Sequence, residues 1–506
     1  MMLEESLNQY FGFQTFRPGQ KEIITSLLEG HDTLGMLPTG SGKSLCYQLT
    51  AYLLKKPVVI VSPLLSLMQD QAEQLRFMGE KSVLTLNSFL DPSQKRESLK
   101  HINRYRFIFL SPEMLAGESV LRALKNVNIG LFVVDEAHCI SQWGYDFRPD
   151  YLNLGHVRNQ LSNPLTLALT ATATREVRED IAKQLCLENV RQLISSVDRA
   201  NIALSVEMVQ KHEDKLQRLL ALARETDGPG IVYFSSKKAA EYTASYLKEN
   251  GIENVSFYHG GMEQEQRILI QRQFLNGQLR IICSTSAFGM GINKENVRFV
   301  VHFHLPPGME AYVQEIGRAG RDGKQSVAII LYSEGDEGLP LHLFEQELPT
   351  EAQLEGIFSY LDIERGFLGK ISSAIEETIM RQFSLNESQW RFIQHFIRLN
   401  IEKYGGAKLK DVIKRYVAIR REHKTEKLRL FFRWLRSKGC LREGLVRYFE
   451  EASVPLNTNC CSNCGLDSKV LENQVIQEAG NIENPYKGWK QELGKILLKA
   501  EGKYEK

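Results

Sequence analysis

Long apolar runs are missing from this sequence. No stretch reaches the ~18 consecutive apolar residues that a membrane-spanning helix needs, and no apolar leader opens the chain, so a cytoplasmic protein with no membrane partner is expected. An excess of either charge is missing as well. With 63 Lys and Arg against 61 Asp and Glu the formal net charge is +2, so the whole-chain charge points to no nucleic-acid partner and only local patches can. No internal repeat and no low-complexity tract occurs, which sets repeat architectures aside. Cysteine is scarce at eight residues, and Cys46, Cys139, Cys186 and Cys283 are scattered as small apolar core residues would be. What remains is an ordinary globular composition, 43% hydrophobic and 25% charged. The 506 residues are enough for roughly three domains with sizeable cores.

Against that plain background residues 38–44, Pro-Thr-Gly-Ser-Gly-Lys-Ser, carry a specific chemistry. Gly40 and Gly42 let the backbone N–H groups from Thr39 to Gly42, Ser41 included, close around phosphates. Lys43 reaches the outer phosphates, and the Ser44 hydroxyl can ligate Mg²⁺. An apolar segment ending at Met36-Leu37 precedes the loop, and Leu45-Cys46-Tyr47-Gln48 continues it as a helix.

Downstream, the apolar run 129–134 is short enough for a buried parallel strand, and a carboxylate at its C-terminal end falls in the crevice where open α/β sheets bind ligands. Asp135 can hold Mg²⁺ there, while Glu136 can orient and deprotonate an attacking water. Alone the pair reads as a solvated loop; behind a phosphate loop it reads as catalytic. It runs straight into an aromatic, polar stretch in which Trp143, Phe147 and Arg148 are suited to touching unstacked bases. Trp143 has a second reading, as a buried anchor of that loop. Residues 314–323, Gln-Glu-Ile-Gly-Arg-Ala-Gly-Arg-Asp-Gly, place Arg318 and Arg321 three apart, so both can face one cleft. An arginine aimed at a γ-phosphate stabilises the charge of the transition state.

Taken in order, these segments resemble the motifs of the RecQ family of superfamily 2 helicases. The resemblance rests on Phe13-Gln14-Thr15-Phe16-Arg17-Pro18-Gly19-Gln20, the phosphate loop, residues 135–151, Leu167-Ala168-Leu169-Thr170-Ala171-Thr172-Ala173-Thr174, Phe288-Gly289-Met290-Gly291-Ile292-Asn293 and the arginine segment. It covers residues 10 to about 330 and then a cysteine cluster. It implies ATP as fuel, with Phe13, Arg17 and Gln20 gripping the adenine. Residues 170–174 would link nucleotide state to domain closure, and the segment from Gly289 to Asn293 would touch both the ATP site and the nucleic-acid backbone. Arg321 would be the arginine finger; Arg318, with Gln314 in the same catalytic segment, would couple the cleft to DNA. Ser62 joins Trp143, Phe147, Arg148 and Arg318 as implied DNA contacts.

The implied activity is a 3′ to 5′ DNA helicase that couples Mg-ATP hydrolysis to translocation on single-stranded DNA and to duplex unwinding, in repair and recombination. Its implied partners are single-stranded and forked DNA and a single-stranded-DNA-binding protein, and the chain would act as a monomer. Two other classes stay open on the residues alone. One is a translocase or RNA-directed ATPase that separates no strands. The other is a nucleotide-switched binding protein, against which the intact Lys43, Asp135, Glu136 and Arg321 argue.

The expected fold class is α/β, two tandem RecA-like parallel-sheet lobes followed by a helical, zinc-binding C-terminal region. Short apolar runs at 58–62, 107–110, 131–134 and 166–169 predict the strands of one sheet; those at 231–234, 255–258, 280–283, 299–303 and 327–331 predict a second, with 195–206 crossing between them. The expected domains are an ATP-binding lobe at 1–205, a second lobe at 206–339, a helical basic region at 340–439, a zinc-binding module at 440–470 and a tail at 471–506.

Thr350 with Gln353, and Asn386 with Gln389, have capping-box spacing. Residues 408–438 are rich in Lys and Arg, open both to a solvated helix face and to phosphate contact. The length of 340–439 leaves room for a winged-helix-like insert. Cys440, Cys460, Cys461 and Cys464 cluster, and four thiols in a cytoplasmic chain read as a closed, structural zinc site. They are similar to the RecQ zinc module, including Arg447-Tyr448-Phe449-Glu450 between its halves. The chain departs from the family at Tyr145, where histidine is common, and at Asp467, where a further cysteine is common and Cys460 can substitute. About forty residues follow Cys464, too few for the winged-helix and terminal helical domains of longer members, so the resemblance is to a short form of the RecS type. In the tail, Trp489, Leu493, Ile496 and Leu497 have the spacing of a packed helix.

Overall fold

A computed structural model describes residues 3–466 apart from 64, 88–89, 116, 142–147, 227, 290–293, 362–372, 401–403, 405 and 453–458. Trp143, Tyr145, Phe147, Asn293, Asp467 and the tail helix therefore lie outside the described residues.

Four-residue runs such as Val58-Val59-Ile60-Val61 form strands buried on both faces, as parallel sheets covered by helices require. The first sheet contains β1 (Thr33–Met36), β2 (Val58–Val61), β3 (Val83–Leu86), β4 (Phe107–Leu110), β5 (Leu131–Val134), β6 (Thr166–Thr170) and β7 (Arg191–Ile194), in the order β3-β4-β2-β5-β6-β1-β7. The second contains β8 (Ile202–Met208), β9 (Gly230–Tyr233), β10 (Val255–Tyr258), β11 (Ile281–Ser284), β12 (Phe299–His302) and β13 (Ser326–Tyr332), in the order β10-β11-β9-β12-β13-β8. Neighbours are parallel throughout, for example Val58 beside Leu131 and Phe299 beside Val327. Alternation along β2 sends Val58 and Ile60 into one apolar layer and Val59 and Val61 into the other.

The expected α/β class and its two lobes are present, with three additions at the edges. β3 and β7 had no sequence expectation: Val-Leu-Thr-Leu is broken by a polar residue, and Arg-Gln-Leu-Ile is mostly exposed, so pairing with β4 and β1 rather than local pattern makes each a strand. The crossing segment expected over 195–206 ends early. Ile202–Met208 already pairs with β13, so the linker shrinks to 195–201 and β8 straddles the expected 205/206 boundary.

Beyond residue 337 the described residues form helices, among them Gly338–Glu347, Glu351–Leu361, Glu387–Asn400 and Gly406–Leu435, packed around their own apolar core. None of the described residues between 338 and 448 forms the strand that a wing would need. Both capping boxes close: Thr350 N donates to Gln353 Oε1 at 2.9 Å and Gln353 N to Thr350 Oγ1 at 3.2 Å, with Asn386 and Gln389 reciprocating at 3.1 and 2.9 Å. Much of the basic run is engaged in ion pairs. Lys410 meets Glu355 at 2.7 Å and Lys427 meets Glu310 at 2.5 Å, while Lys414, Lys424 and Arg436 pair with Glu355, Glu347 and Glu337. Ion pairing with acids of neighbouring helices and of the second lobe is thus a third role for these cations, one that neither reading of their sequence anticipated.

Candidate functional site: a nucleotide cleft between two lobes

β1 delivers the chain into the phosphate loop, and the helix Lys43–Leu54 starts at Lys43, with its N-terminal N–H groups aimed into the cleft. Gly40 and Gly42 hold φ of +86° and +76°, left-handed values that glycine adopts without strain. The Gln20 amide donates to the carbonyls of Ser41 (2.8 Å) and Gly42 (3.0 Å) and accepts from Arg17 N at 2.9 Å. Arg17 Nη1 donates to Gly40 O at 2.5 Å. Two residues expected at the adenine therefore also brace the loop, while Phe13 stands 56% exposed beside them.

Asp135 and Glu136 follow β5 directly and are buried, at 4% and 7% exposure. Burial and the neighbouring Glu136 charge push the Asp135 carboxyl up to about 7, against the pull of Lys43. A buried carboxylate pair facing a hydroxyl (Ser44) and an ammonium suits a hard divalent cation such as Mg²⁺, whose charge would offset that repulsion. Glu136 adopts φ +47°, ψ +49°, and its N donates to Asp135 Oδ1 at 3.0 Å. His138 Nδ1 is hydrogen-bonded to Thr170 Oγ1 at 3.0 Å and lies 3.4 Å from Glu136 Oε2, so an imidazole anchored at the end of β6 stands beside the second carboxylate.

The second lobe closes the cleft. Arg318, 5% exposed, donates through Nη1 to Gly289 O, and its guanidinium lies where a Cβ on Gly289 would be. The Arg321 side chain rests on Gly40. Burial, then the charges of Arg318, Arg199 and Arg17, push Arg321 down to about 9. The cleft encloses about 430 Å³ and is lined by Phe13, Arg17, Gln20, Thr39, Gly40, Gly42, Lys43, Ser44, Asp135, Glu136, Gly289, Gln314, Arg318 and Arg321. Its arginines and lysine crowd one another, an arrangement whose complement is a polyanion. Arg199, in the linker, carried no sequence signal. It belongs to no motif, and only the meeting of the lobes brings it here.

The residues expected to touch DNA divide. Ser62 follows β2 buried, at 2% exposure, and among the described residues its hydroxyl has no hydrogen-bond partner. Arg148 donates from Nη1 to Pro63 O at 2.8 Å, tying the base of the aromatic loop to the segment just after Ser62. Arg148, Gln314 and Arg318 also line a second cavity, of about 590 Å³, with Ser235, Lys237, Thr285, Ser286 and His304 of the second lobe. Sequence reasoning missed that second-lobe wall. Its signal is Ser235-Ser236-Lys237 after β9, where the Ser236 hydroxyl caps the helix Lys237–Glu249 by accepting from Ala239 N at 3.3 Å.

All four clustered cysteines converge. Sγ separations are 3.5 Å for Cys440–Cys460, 3.5 Å for Cys461–Cys464 and 3.9 Å for Cys440–Cys461, with every pair within 4.8 Å. Thiolates ~2.3 Å from a tetrahedral zinc stand ~3.8 Å apart, close to these separations, so the donor set fits that ion. Leu441 N donates to Cys461 Sγ at 3.3 Å and Glu443 N to Cys440 Sγ at 3.5 Å, as charged sulfur favours.

Comparison with known proteins agrees with this geometry. The family model for the DEAD/DEAH box helicase matches residues 17–180, and that for the helicase conserved C-terminal domain matches 211–323. The fold and cleft are those of a two-lobed helicase motor. The probable ATP-dependent DNA helicase RecS of Bacillus subtilis is 44% identical over 500 residues, 98% of each chain. The ATP-dependent DNA helicase RecQ of Haemophilus influenzae is 38% identical over 351 residues, 69% of this chain and 56% of that one. The chain belongs to the RecQ family of ATP-dependent DNA helicases, and the RecS-type member matches it nearly end to end. In fold it is also similar to S. cerevisiae Dbp5 bound to RNA and ADP BeF3, with a TM-score of 0.54 at 22% identity over 68% of this chain and 90% of that one. Among the described residues no helix is long and apolar enough to cross a membrane.

Proposed function

We propose that this enzyme hydrolyses Mg-ATP in the inter-lobe cleft to move 3′ to 5′ along single-stranded DNA and separate duplexes ahead of it, on forked substrates of repair and recombination. The observation that carries the reading is the cationic convergence of Lys43, Arg318 and Arg321 opposite a buried carboxylate pair, held by loops from two lobes. Bound Mg²⁺ supplies charge neutralisation at the phosphates, with Ser44 and Asp135 as its protein-side holders. Lys43 draws the outer phosphates onto the helix N-terminus. Glu136 takes the proton from the attacking water, with His138 standing beside its carboxylate. Arg321, reaching in from the other lobe, meets the charge that develops on the transferred phosphoryl group. Hydrolysis then removes what the second lobe was holding, and the lobes part.

DNA would cross both lobes along the 590 Å³ cavity, where Arg148 and Arg318 face Lys237 and Thr285. Gln314 and Arg318 border both cavities, so nucleotide state and strand contact share two side chains. Zinc at the four cysteines would be structural, contributing folding free energy, and would take no part in bond chemistry, since four thiolates leave no position for water. A cytoplasmic monomer is part of the same proposal.

ATP turnover measured with single-stranded DNA, duplex DNA and RNA, followed by strand displacement from 3′-tailed and 5′-tailed duplexes, tests it. Stimulation by single-stranded DNA with displacement only from the 3′-tailed duplex is expected. RNA stimulation, or turnover without displacement, would move the enzyme to the translocase class.

A further inference from the structure

The linker between the sheets is gripped from two sides. On the cysteine side, Glu451 accepts from Val197 N at 2.9 Å and from the Ser196 hydroxyl. Arg442, 4% exposed, pairs with Asp198 and donates to the carbonyls of Arg199 (3.0 Å), Ile202 and Cys460 (3.4 Å). Cys461 extends the second sheet by bridging Leu204, whose N donates to Cys460 O at 3.2 Å and whose carbonyl accepts from Ser462 N at 2.8 Å. On the cleft side, Arg199 Nη1 donates to Thr39 O (3.2 Å) and Gly317 O (3.4 Å), and its Nη2 to Ala319 O (3.2 Å) and Gly320 O (2.6 Å). One guanidinium thus holds the phosphate loop of one lobe and, in the other, the turn that carries Arg321.

The geometry suits arginine alone among the cations. Its planar fork offers five N–H donors in fixed directions, whereas a lysine ammonium is a point charge that cannot span acceptors on two lobes. These carbonyls flank Gly40 and Arg321, so their separation sets how far the arginine finger stands from the phosphates. The backbone of Arg199 is in turn set by Arg442, two residues from Cys440.

We propose that Arg199 is a positioning residue for hydrolysis, fixing the phosphate loop against the Arg321 turn, and that the cysteine module holds it in register through Arg442. Nucleotide in the cleft and metal on the cysteines are then linked, and linkage between two bound ligands is reciprocal. The proposal rests on the cleft being the site of ATP hydrolysis.

The zinc-loaded full chain is compared with Arg199→Ala, Arg199→Lys and Lys43→Ala in two assays. The first is DNA-stimulated ATP turnover. The second is zinc release to a chromogenic chelator, with and without Mg²⁺ and a non-hydrolysable ATP analogue. Both Arg199 variants are expected to lose about tenfold or more in kcat with KM for ATP within about threefold, the split expected when an interaction matters in the transition state. The analogue is expected to slow zinc release several-fold in the wild type and to have no effect in either variant. A merely structural arginine would lower the melting temperature without that split and without making zinc release blind to nucleotide. Should Arg199→Ala fail to fold, Arg199→Lys carries both readouts. Wild-type kcat in the Arg199 variants, or zinc release indifferent to nucleotide in the wild type, overturns the proposal. If Lys43→Ala is inactive while the Arg199 variants are not, only the proposal fails; if Lys43→Ala also turns over, the cleft assignment fails with it.

Discussion

Gly40→Ala would place a methyl group where the Arg321 side chain lies. A Cβ built on Gly40 meets Arg321 Cδ and Cγ at 2.7 Å and Nε at 2.9 Å, closer than such contacts ever stand, and Gly40 holds φ +86°. Two costs follow, and they are separable. Left-handed backbone costs a non-glycine residue ~1–2 kcal/mol, which lowers the melting temperature. Displacement of Arg321 acts on catalysis instead. An arginine finger is worth ~10³-fold or more, about 4 kcal/mol of barrier, so Gly40→Ala should lose ~10²–10³ in kcat if the finger is pushed off the loop. The assay is a double-mutant cycle in DNA-stimulated turnover with wild type, Gly40→Ala, Arg321→Ala and the pair. Both single changes remove one interaction, so the double variant should be no slower than the slower single variant within about threefold. A multiplicative loss, on the order of 10⁵, would refute the idea that the methyl acts through Arg321.

Lys43→Ala and Glu136→Gln should each abolish DNA-stimulated hydrolysis while single-strand affinity, read by fluorescence anisotropy, stays within a few-fold. Metal analysis should find one zinc per chain, and Cys464→Ser should destabilise the C-terminal region more than it slows hydrolysis; zinc content unchanged after loss of two of the four cysteines would sink the site. Burial, then the charges of Lys215 and His212, pull His304 down to about 4 from an ordinary 6.5, so the folded protein resists a proton that the unfolded chain accepts. Stability is therefore full above pH ~6.5 and falls toward pH ~4, by at most about 3 kcal/mol, and His304→Asn should flatten that part of the melting-temperature profile. Trp143→Ala should keep unstimulated turnover and single-strand affinity but lose most DNA stimulation and unwinding, since a base-aromatic contact of ~1–3 kcal/mol can bias the loop behind Glu136; full DNA stimulation would end that role.

What the sequence by itself determined is the chemistry that lives within a few residues. The phosphate loop is coded in seven consecutive positions, because two glycines, a lysine and a serine suffice to shape the cradle wherever the strand before it ends. Asp135-Glu136 could be placed because a short apolar run is a buried strand and its C-terminal end is where such sheets bind ligands. The cysteines were legible because thiol spacing is itself the ligand geometry. Tertiary structure decided everything that depends on where two sheets meet. Arg199 is 160 residues from Thr39 and 121 from Gly320, and no periodicity relates them. The Glu136–His138–Thr170 chain needs β5 and β6 side by side, and the burial of Ser62 needs the layers around β2. The lysines facing Glu310, Glu347 and Glu355 look like any solvated basic run until a 30-residue helix packs against acidic partners far from it in sequence. Local backbone chemistry is written in neighbours; a hydrogen bond across the chain exists only when packing has paid the entropy of bringing its ends together.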